Sequence, residues 1–351
     1  MGIFWLNQNT SEWDVPARRS SKRGGSALRA LVRSFGPAPE VVALETYEPD
    51  QPGPGHVWVR MTARSINPSD LLTISGTYSA RNRLPFVPGF EGVGVVEDVG
   101  PGVTDLRVGD RVVPIGSAGA WQEVKIARAD WCFPVAAELT DAQAATSYIN
   151  PLTAWLMLHE RAVLFPGMSL ALNAAGSAIG RILIRMANAA GIRPIALVRA
   201  DASRRLLAGL NLEAVVVVED EAVESALREA TNGRGVGLAL DAIGGASGEA
   251  LAHSLRSNGH FLHYGLLSGR ALPADLPRRR PDVRFELFWL RHWVHTQSRH
   301  VIAARLTEVA RLVATGLAAT PIEAEYPLRD LTEALRHSLR RGRSGKILIM
   351  G

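Results

Sequence analysis

The chain is expected to be an α/β protein of two domains, one β-rich and one built on a doubly wound parallel sheet, and three observations predict this. Residues 27–150 carry short alternating runs split by Gly and Pro, such as His56-Val57-Trp58-Val59-Arg60-Met61 and Val93-Gly94-Val95-Val96-Glu97-Asp98-Val99. That is the rhythm of strands joined by tight turns. From about Pro151 the rhythm changes to apolar strands alternating with helical segments, which is the pattern of βαβ units. The third observation is the run Ser169-Leu170-Ala171-Leu172-Asn173-Ala174-Ala175-Gly176-Ser177-Ala178-Ile179-Gly180. It reads as a buried strand, a small-residue turn and a helix start, a turn able to hold a dinucleotide pyrophosphate.

In chain order, residues 1–26 are expected to be an N-terminal extension, with Trp5 and Trp13 among polar residues and then Arg18-Arg19-Ser20-Ser21-Lys22-Arg23. Residues 27–150, joined by 315–351, form the β-rich domain, and residues 151–314 form the dinucleotide-binding domain. Parallel strands are predicted at 169–173, 194–198, 214–218, 237–241 and 260–264. The helix at 179–190 places Ile179, Leu183 and Met186 on one face. A helix at about 300–315, another at 331–339 and a last strand at Lys346–Met350 complete the reading.

Composition bounds the function. The chain has 351 residues, of which 47% are hydrophobic, as expected of an ordinary globular protein. The net charge of +5 is nearly all arginine, since Lys22, Lys125 and Lys346 are the only lysines. The basic residues lack the interleaved aromatics of a base-stacking surface, so no nucleic acid is expected. No apolar run reaches the ~18 residues that span a bilayer. Residues 1–15 lack the basic-then-apolar order of a secretory signal, so a cytoplasmic location without membrane contact is expected. Cys132 is the sole cysteine, which excludes an intrachain disulfide and a four-cysteine zinc lobe. It is read as a small buried apolar residue.

The glycine-rich turn works because backbone N–H groups and the positive helix end meet the pyrophosphate. Here the usual GxGxxG reads Ala175-x-Ser177-x-x-Gly180, with only its last glycine kept. About 20 residues on, the second strand ends at Arg199, where a carboxylate would accept from the 2′-OH of NAD. A guanidinium there prefers a 2′-phosphate, at roughly 1.5–3 kcal/mol per contact. NADPH is therefore the expected cofactor. Arg204 and Arg205 lie close by to reinforce the preference, and Asp201 opposes it.

Pro88-Gly89-Phe90-Glu91-Gly92-Val93-Gly94-Val95-Val96 and Val108-Gly109-Asp110-Arg111-Val112 resemble segments of the medium-chain dehydrogenase/reductase superfamily. The resemblance implies a GroES-like β-rich catalytic domain ahead of a Rossmann domain. The zinc-dependent branch has a histidine where Phe90 stands and a cysteine near Asn67-Pro68-Ser69-Asp70, so no metal is expected. Within the zinc-free branch the chain resembles the mitochondrial-type 2-enoyl thioester reductases, with the quinone oxidoreductases as neighbours. That resemblance rests on Ile66-Asn67-Pro68-Ser69-Asp70, Gly76-Thr77-Tyr78, Ile149-Asn150-Pro151-Leu152-Thr153-Ala154, Tyr264-Gly265, Phe288-Trp289-Leu290 with Trp293, and Lys346-Ile347-Leu348.

The resemblance implies that Tyr78 is the catalytic tyrosine, with Asn67 in a neighbouring polar role. It places Asn150, Gly176, Ser177, Ala178, Ile179, Gly180, Arg199, Tyr264, Gly265, Leu266, Leu267, Phe288, Trp289, Leu290 and Lys346 around the cofactor. Reduction of an activated C=C bond, most simply that of an enoyl thioester on CoA or acyl carrier protein, is the implied reaction. Quinone or enone reduction and a non-catalytic NADPH-binding role are the alternatives. The family commonly carries glycine where Ala178 stands, which is expected to tighten the cofactor's approach. Arg278, Arg279, Arg280, Arg284 and Arg291 read either as an attraction for phosphates or an acidic carrier protein, or as a solvated basic loop. A homodimer is expected.

Overall fold

The computed structural model describes residues 25–77, 83–218 and 222–351. The expected N-terminal extension, up to residue 24, lies outside the described residues. The alternating runs of the first part form the strand pair Ala27–Val32 and Val42–Tyr47, and a seven-stranded sheet organised around His56–Ser65. This ten-residue strand pairs along one edge with Gly92–Val99. Along its other edge it pairs first with Val124–Arg128 and then with the chain's last strand, Lys346–Met350. Arg111–Pro114 and Cys132–Pro134 extend the sheet on one side, and Ile322–Pro327 on the other, so the C-terminal tail returns to this domain.

The second part folds as a six-stranded, all-parallel sheet. Its strands lie in the order Ala214–Val217, Ile195–Val198, Leu170–Leu172, Val236–Asp241, Leu255–His263 and Arg284–Leu287. The three strands Ile195–Val198, Leu170–Leu172 and Val236–Asp241 are buried throughout, because crossover helices cover both faces of such a sheet. The strand predicted at 260–264 begins earlier, at Leu255, and the edge strand Arg284–Leu287 is absent from the sequence reading. Its alternating charge, Arg-Phe-Glu-Leu, hides a strand of only 4 residues.

Both sheets share one core. Val93, Val113 and Phe133 of the first pack in the same cluster as Leu172 and Leu240 of the second and Ile182 of the helix Ala178–Ala189. The connecting helix Ile149–Leu156, continued by a π turn at Met157–Arg161, and the helix Arg299–Ala314 belong to that cluster too. No helix of the described residues is long and apolar enough to cross a membrane. Close strand contact explains the small residue at Gly94, where an added Cβ would fall on the Arg60 carbonyl and 2.7 Å from Val59 Cγ1. We expect Gly94→Ala to lower the unfolding free energy by about 1–3 kcal/mol, read as a fall in the urea midpoint at unchanged slope.

Candidate active site and cofactor cleft

The phosphate-loop region sits where the C-terminal edge of a parallel sheet meets a helix N-terminus. After Leu170–Leu172 the chain turns through Ala174, which takes a left-handed φ of 48°. Ala175 N donates to Leu197 O at 3.2 Å and Ser177 N to Ala174 O at 2.9 Å, which fastens the turn to the neighbouring strand. Ser177 then caps the helix Ala178–Ala189, its Oγ accepting from Gly180 N at 3.1 Å. The N–H groups of Ala178 and Ile179 are thereby left facing out of the first turn with no partner inside the helix. Gly180 is required here: a Cβ would lie 2.6 Å from Ala175 O and 2.7 Å from Ala174 O.

Arg199 follows Ile195–Val198 directly and is exposed. The opposing charge of Asp201 is taken up by Arg204, whose Nε donates to Asp201 Oδ1 at 2.7 Å. Arg205 instead reaches across the domain boundary, its Nη2 donating to Gly342 O at 2.8 Å. The three arginines grouped by sequence therefore separate into three different settings. Beside Arg205 a cavity of about 450 Å³ is lined by Arg205, Leu206, Glu323, Gly342 and Ser344. It adjoins the phosphate loop, since Leu206 Cδ1 lies 3.1 Å from where Gly176 would carry a Cβ.

Further along the same sheet edge, buried Asp241 organises the strand ends. Its Oδ1 accepts from Asn173 Nδ2 at 2.6 Å and from Ile243 N at 3.0 Å, and His263 Nδ1 sits 2.7 Å from its Oδ2. Tyr264, Gly265, Leu266 and Leu267 follow His263, and a Cβ at Gly265 would lie 2.7 Å from Ala242 O. Phe288 is buried and its N donates to His263 O at 2.8 Å, Leu290 is half-buried, and Trp289 is exposed. Trp293 packs in the core, with Nε1 donating to Glu160 Oε2 at 3.2 Å.

The fit to a dinucleotide is tested by two buried polar atoms that have no partner among the described residues, Tyr264 OH and Arg181 Nε. Burial raises the Tyr264 phenol well above its ordinary range, so the group is a neutral donor. Arg181 lies in the first turn of the phosphate-loop helix, and its Nη2 donates to Ser344 O of the β-rich domain at 2.7 Å. An open first turn, the exposed Arg199 at the end of the next strand and these two donors fit a dinucleotide.

The β-rich domain contributes the buried groups Ser65, Asn67, Asp70, Glu91 and Lys346. Asn67 precedes the helix Pro68–Ile74, and its backbone N donates to Asp70 Oδ2 at 2.7 Å. Asp70 Oδ1 accepts from Phe90 N at 3.0 Å. Glu91 Oε2 accepts from Ser65 Oγ at 2.6 Å and Asn67 Nδ2 at 3.0 Å, and its Oε1 from Tyr148 N at 3.0 Å and Ile149 N at 2.7 Å. Lys346 Nζ donates to Asn67 Oδ1 and, at 3.3 Å, to Ile66 O. Lys346 is only 4% exposed, so it is no solvated strand end. Asn150 is half-buried, one residue beyond the pair of N–H groups that Glu91 holds.

Burial pushes the Asp70 carboxyl up to about 7, against the pull of the Lys346 charge. Burial likewise lowers Lys346, against the pull of Glu91 and Asp70. Tyr78 lies outside the described residues; the chain is described up to Gly76, at φ 86°, and Thr77. The arginines 279, 280 and 284 are met within the chain by Glu249 at 2.5 Å, Asp282 at 2.9 Å and Glu286 at 2.8 Å. Arg280 is further engaged by the carbonyls of Ala252, His253 and Leu255. Cys132 is buried as expected, its thiol pushed up to about 12 by that burial. Residue-by-residue reading misses Glu91 and Asp241. A lone carboxylate flanked by Phe90 and Gly92 before a buried strand is the signal that could have found Glu91.

An acid raised by burial stabilises the fold below its ordinary value and loses that contribution as pH rises through the raised one. We therefore expect Asp70→Asn to carry a pH-independent loss, from its NH₂ facing a backbone N–H, that is progressively offset between pH 4 and 7. Urea midpoints of both proteins across that range measure it, and a constant difference would refute it.

Two family models match the chain, the alcohol dehydrogenase GroES-like domain over residues 53–137 and the zinc-binding dehydrogenase domain over residues 212–349. The mitochondrial enoyl-[acyl-carrier-protein] reductase of Bos taurus is 32% identical over 348 residues, covering 96% of this chain and 92% of the relative. Among solved structures, a Bacillus thuringiensis protein assigned as an NADPH:quinone reductase is 35% identical with a TM-score of 0.87, covering 93% of this chain and 99% of its own. The Escherichia coli quinone oxidoreductase complexed with NADPH is 25% identical with a TM-score of 0.86, covering 93% of this chain and 100% of its own. With a GroES-like sheet, a Rossmann sheet and a relative of this length, the chain belongs to the medium-chain dehydrogenase/reductase family of oxidoreductases.

Proposed function

We propose that the chain reduces a C=C bond conjugated to a carbonyl, with NADPH as reductant and a trans-2-enoyl thioester as substrate. The observation that carries this reading is the similarity to an enoyl reductase over nearly the whole chain, and Tyr78 is proposed as the counterpart of that family's tyrosine. When bound, NADPH supplies a hydride to Cβ. The residues proposed to hold it are the loop from Gly176 to Gly180, Asn150, Arg199, the segments Tyr264 to Leu267 and Phe288 to Leu290, and Lys346.

Tyr78 is proposed to donate to the thioester oxygen as enolate charge develops there, or to deliver the proton to Cα. A phenol suits both tasks because it stays protonated at neutral pH while still able to give a hydrogen bond. Asn67 fits a supporting role, since its amide is engaged by Ser65, Glu91 and Lys346. Quinone reduction is the second reading, favoured by the solved structures the chain matches. A homodimer paired through the exposed edge of Arg284–Leu287 is proposed as the assembly.

Oxidation of NADPH by crotonyl-CoA, in parallel with a panel of quinones, is expected to show the thioester as the better substrate. No turnover with enoyl thioesters on CoA or on a carrier protein would sink that choice. Tyr78→Phe is expected to cost roughly 10²-fold or more in kcat, and full activity would remove the tyrosine from the mechanism. Arg199→Ala is expected to raise the KM for NADPH roughly 10–100-fold while leaving that for NADH little changed. Equal effects on the two cofactors would refute the phosphate contact.

A further inference from the structure

Asn67 lies between two groups that can each use only one end of its amide. Lys346 has only donors, so it requires Oδ1, to which its Nζ donates. An ionised Glu91 has only acceptors, so it requires Nδ2, which donates to Glu91 Oε2 at 3.0 Å and to Ser65 Oγ at 2.8 Å. The other oxygen of Glu91 takes the N–H groups of Tyr148 and Ile149, at 3.0 and 2.7 Å. Those two N–H groups open the helix Ile149–Leu156, which enters the Rossmann domain and carries Asn150. Glu91 is 1% exposed and Asn67 1%, so water does not substitute for any of these partners.

We propose that Glu91 is a positioning residue for cofactor binding: its carboxylate sets the polarity of the Lys346–Asn67 pair and fixes the helix start that presents Asn150. The inference rests on the assignment of Asn150 and Lys346 to the NADPH site. Four donors from two separate segments converge on one carboxylate, and two of them come from the backbone just before Asn150. A neutral isostere cannot satisfy the same set. In Glu91→Gln, Oε1 still accepts from Tyr148 and Ile149, but the new Nε2 then confronts Nδ2 of Asn67, donor against donor. Turning the Asn67 amide would relieve that clash only by placing Nδ2 against the Lys346 ammonium.

The same logic supplies a rescue. In Glu91→Gln combined with Asn67→Asp, the amide introduced at the first position donates to the carboxylate introduced at the second. That carboxylate also accepts from both Ser65 and Lys346, and the net charge of the cluster is unchanged. NADPH affinity, measured by the cofactor's fluorescence on the full chain, is expected to weaken on the order of tenfold in Glu91→Gln and to return to within about threefold of wild type in the double variant. Unfolding midpoints of the cofactor-free proteins, read alongside, separate positioning from support. A lowered midpoint with unchanged NADPH affinity in Glu91→Gln overturns the proposal, as does a double variant no better than the single one. Asn150→Ala is the control: NADPH affinity unchanged there but weakened in Glu91→Gln refutes the route through Asn150.

Discussion

A carboxylate sealed from water must be given its hydrogen bonds by the protein, and Glu91 is given four, from Ser65, Asn67, Tyr148 and Ile149. An uncompensated buried charge costs far more than any one of these bonds returns. The segments that carry the donors are therefore held together or lost together. One donor pair comes from the strand and turn at residues 65–67, and the other from the first residues of the connecting helix. This requirement fixes the start of the connecting helix against the β-rich sheet, beside the apolar core that both sheets share.

A second set of contacts ties the domains on the far side of the phosphate loop, and here the donors are guanidinium groups while the acceptors are backbone carbonyls. Arg181 reaches Ser344 O, Arg185 reaches Leu317 O at 2.8 Å, and Arg205 reaches Gly342 O. Arg299 reaches Asp130 O at 2.9 Å from the helix that crosses back. A carbonyl is a weaker acceptor for a guanidinium than a carboxylate or phosphate is. Arg181, Arg185 and Arg205 thus position the tail through carbonyls, with no ion pair in these contacts. Glu323 completes the arrangement, since its carboxylate holds Gly345 N at 3.1 Å. Against the upward push of burial, that carboxyl is held down to about 2 by His337 and the N–H groups of Ser344 and Gly345.

Much of this is legible in the residues. Alternating runs locate the first sheet, continuous apolar runs locate the parallel strands, and the small-residue turn locates the helix N-terminus. What escapes has physical reasons. Arg284–Leu287 lies at the edge of its sheet and needs apolar side chains less than the central strands do, so its composition does not announce a strand. Arg204 and Arg205 are adjacent in the chain, yet one folds back on Asp201 and the other crosses to the tail. Only tertiary placement separates them. The resemblance places Lys346 at the cofactor, but the partner that holds it cannot be found among its neighbours in sequence. Its partner, Asn67, lies 279 residues away.

The polarity of the buried cluster also bears on how this chain builds its site from these residue types. Where the zinc-dependent branch would carry histidine and cysteine, Phe90 contributes only its backbone N–H, to Asp70, and Asn67 contributes an amide with a fixed direction. Lysine supplies only donors to this amide and glutamate the facing acceptor. Asp70 is the adjustable group, because burial brings its titration near neutrality while two backbone donors and the Lys346 charge oppose protonation. Ionised, it adds a second negative charge beside a single ammonium; protonated, it leaves Lys346 and Glu91 balanced. The neutral Asp70 therefore costs least inside the protein, and the polarity of Asn67 is preserved in both states because neither Lys346 nor Glu91 has to change its role.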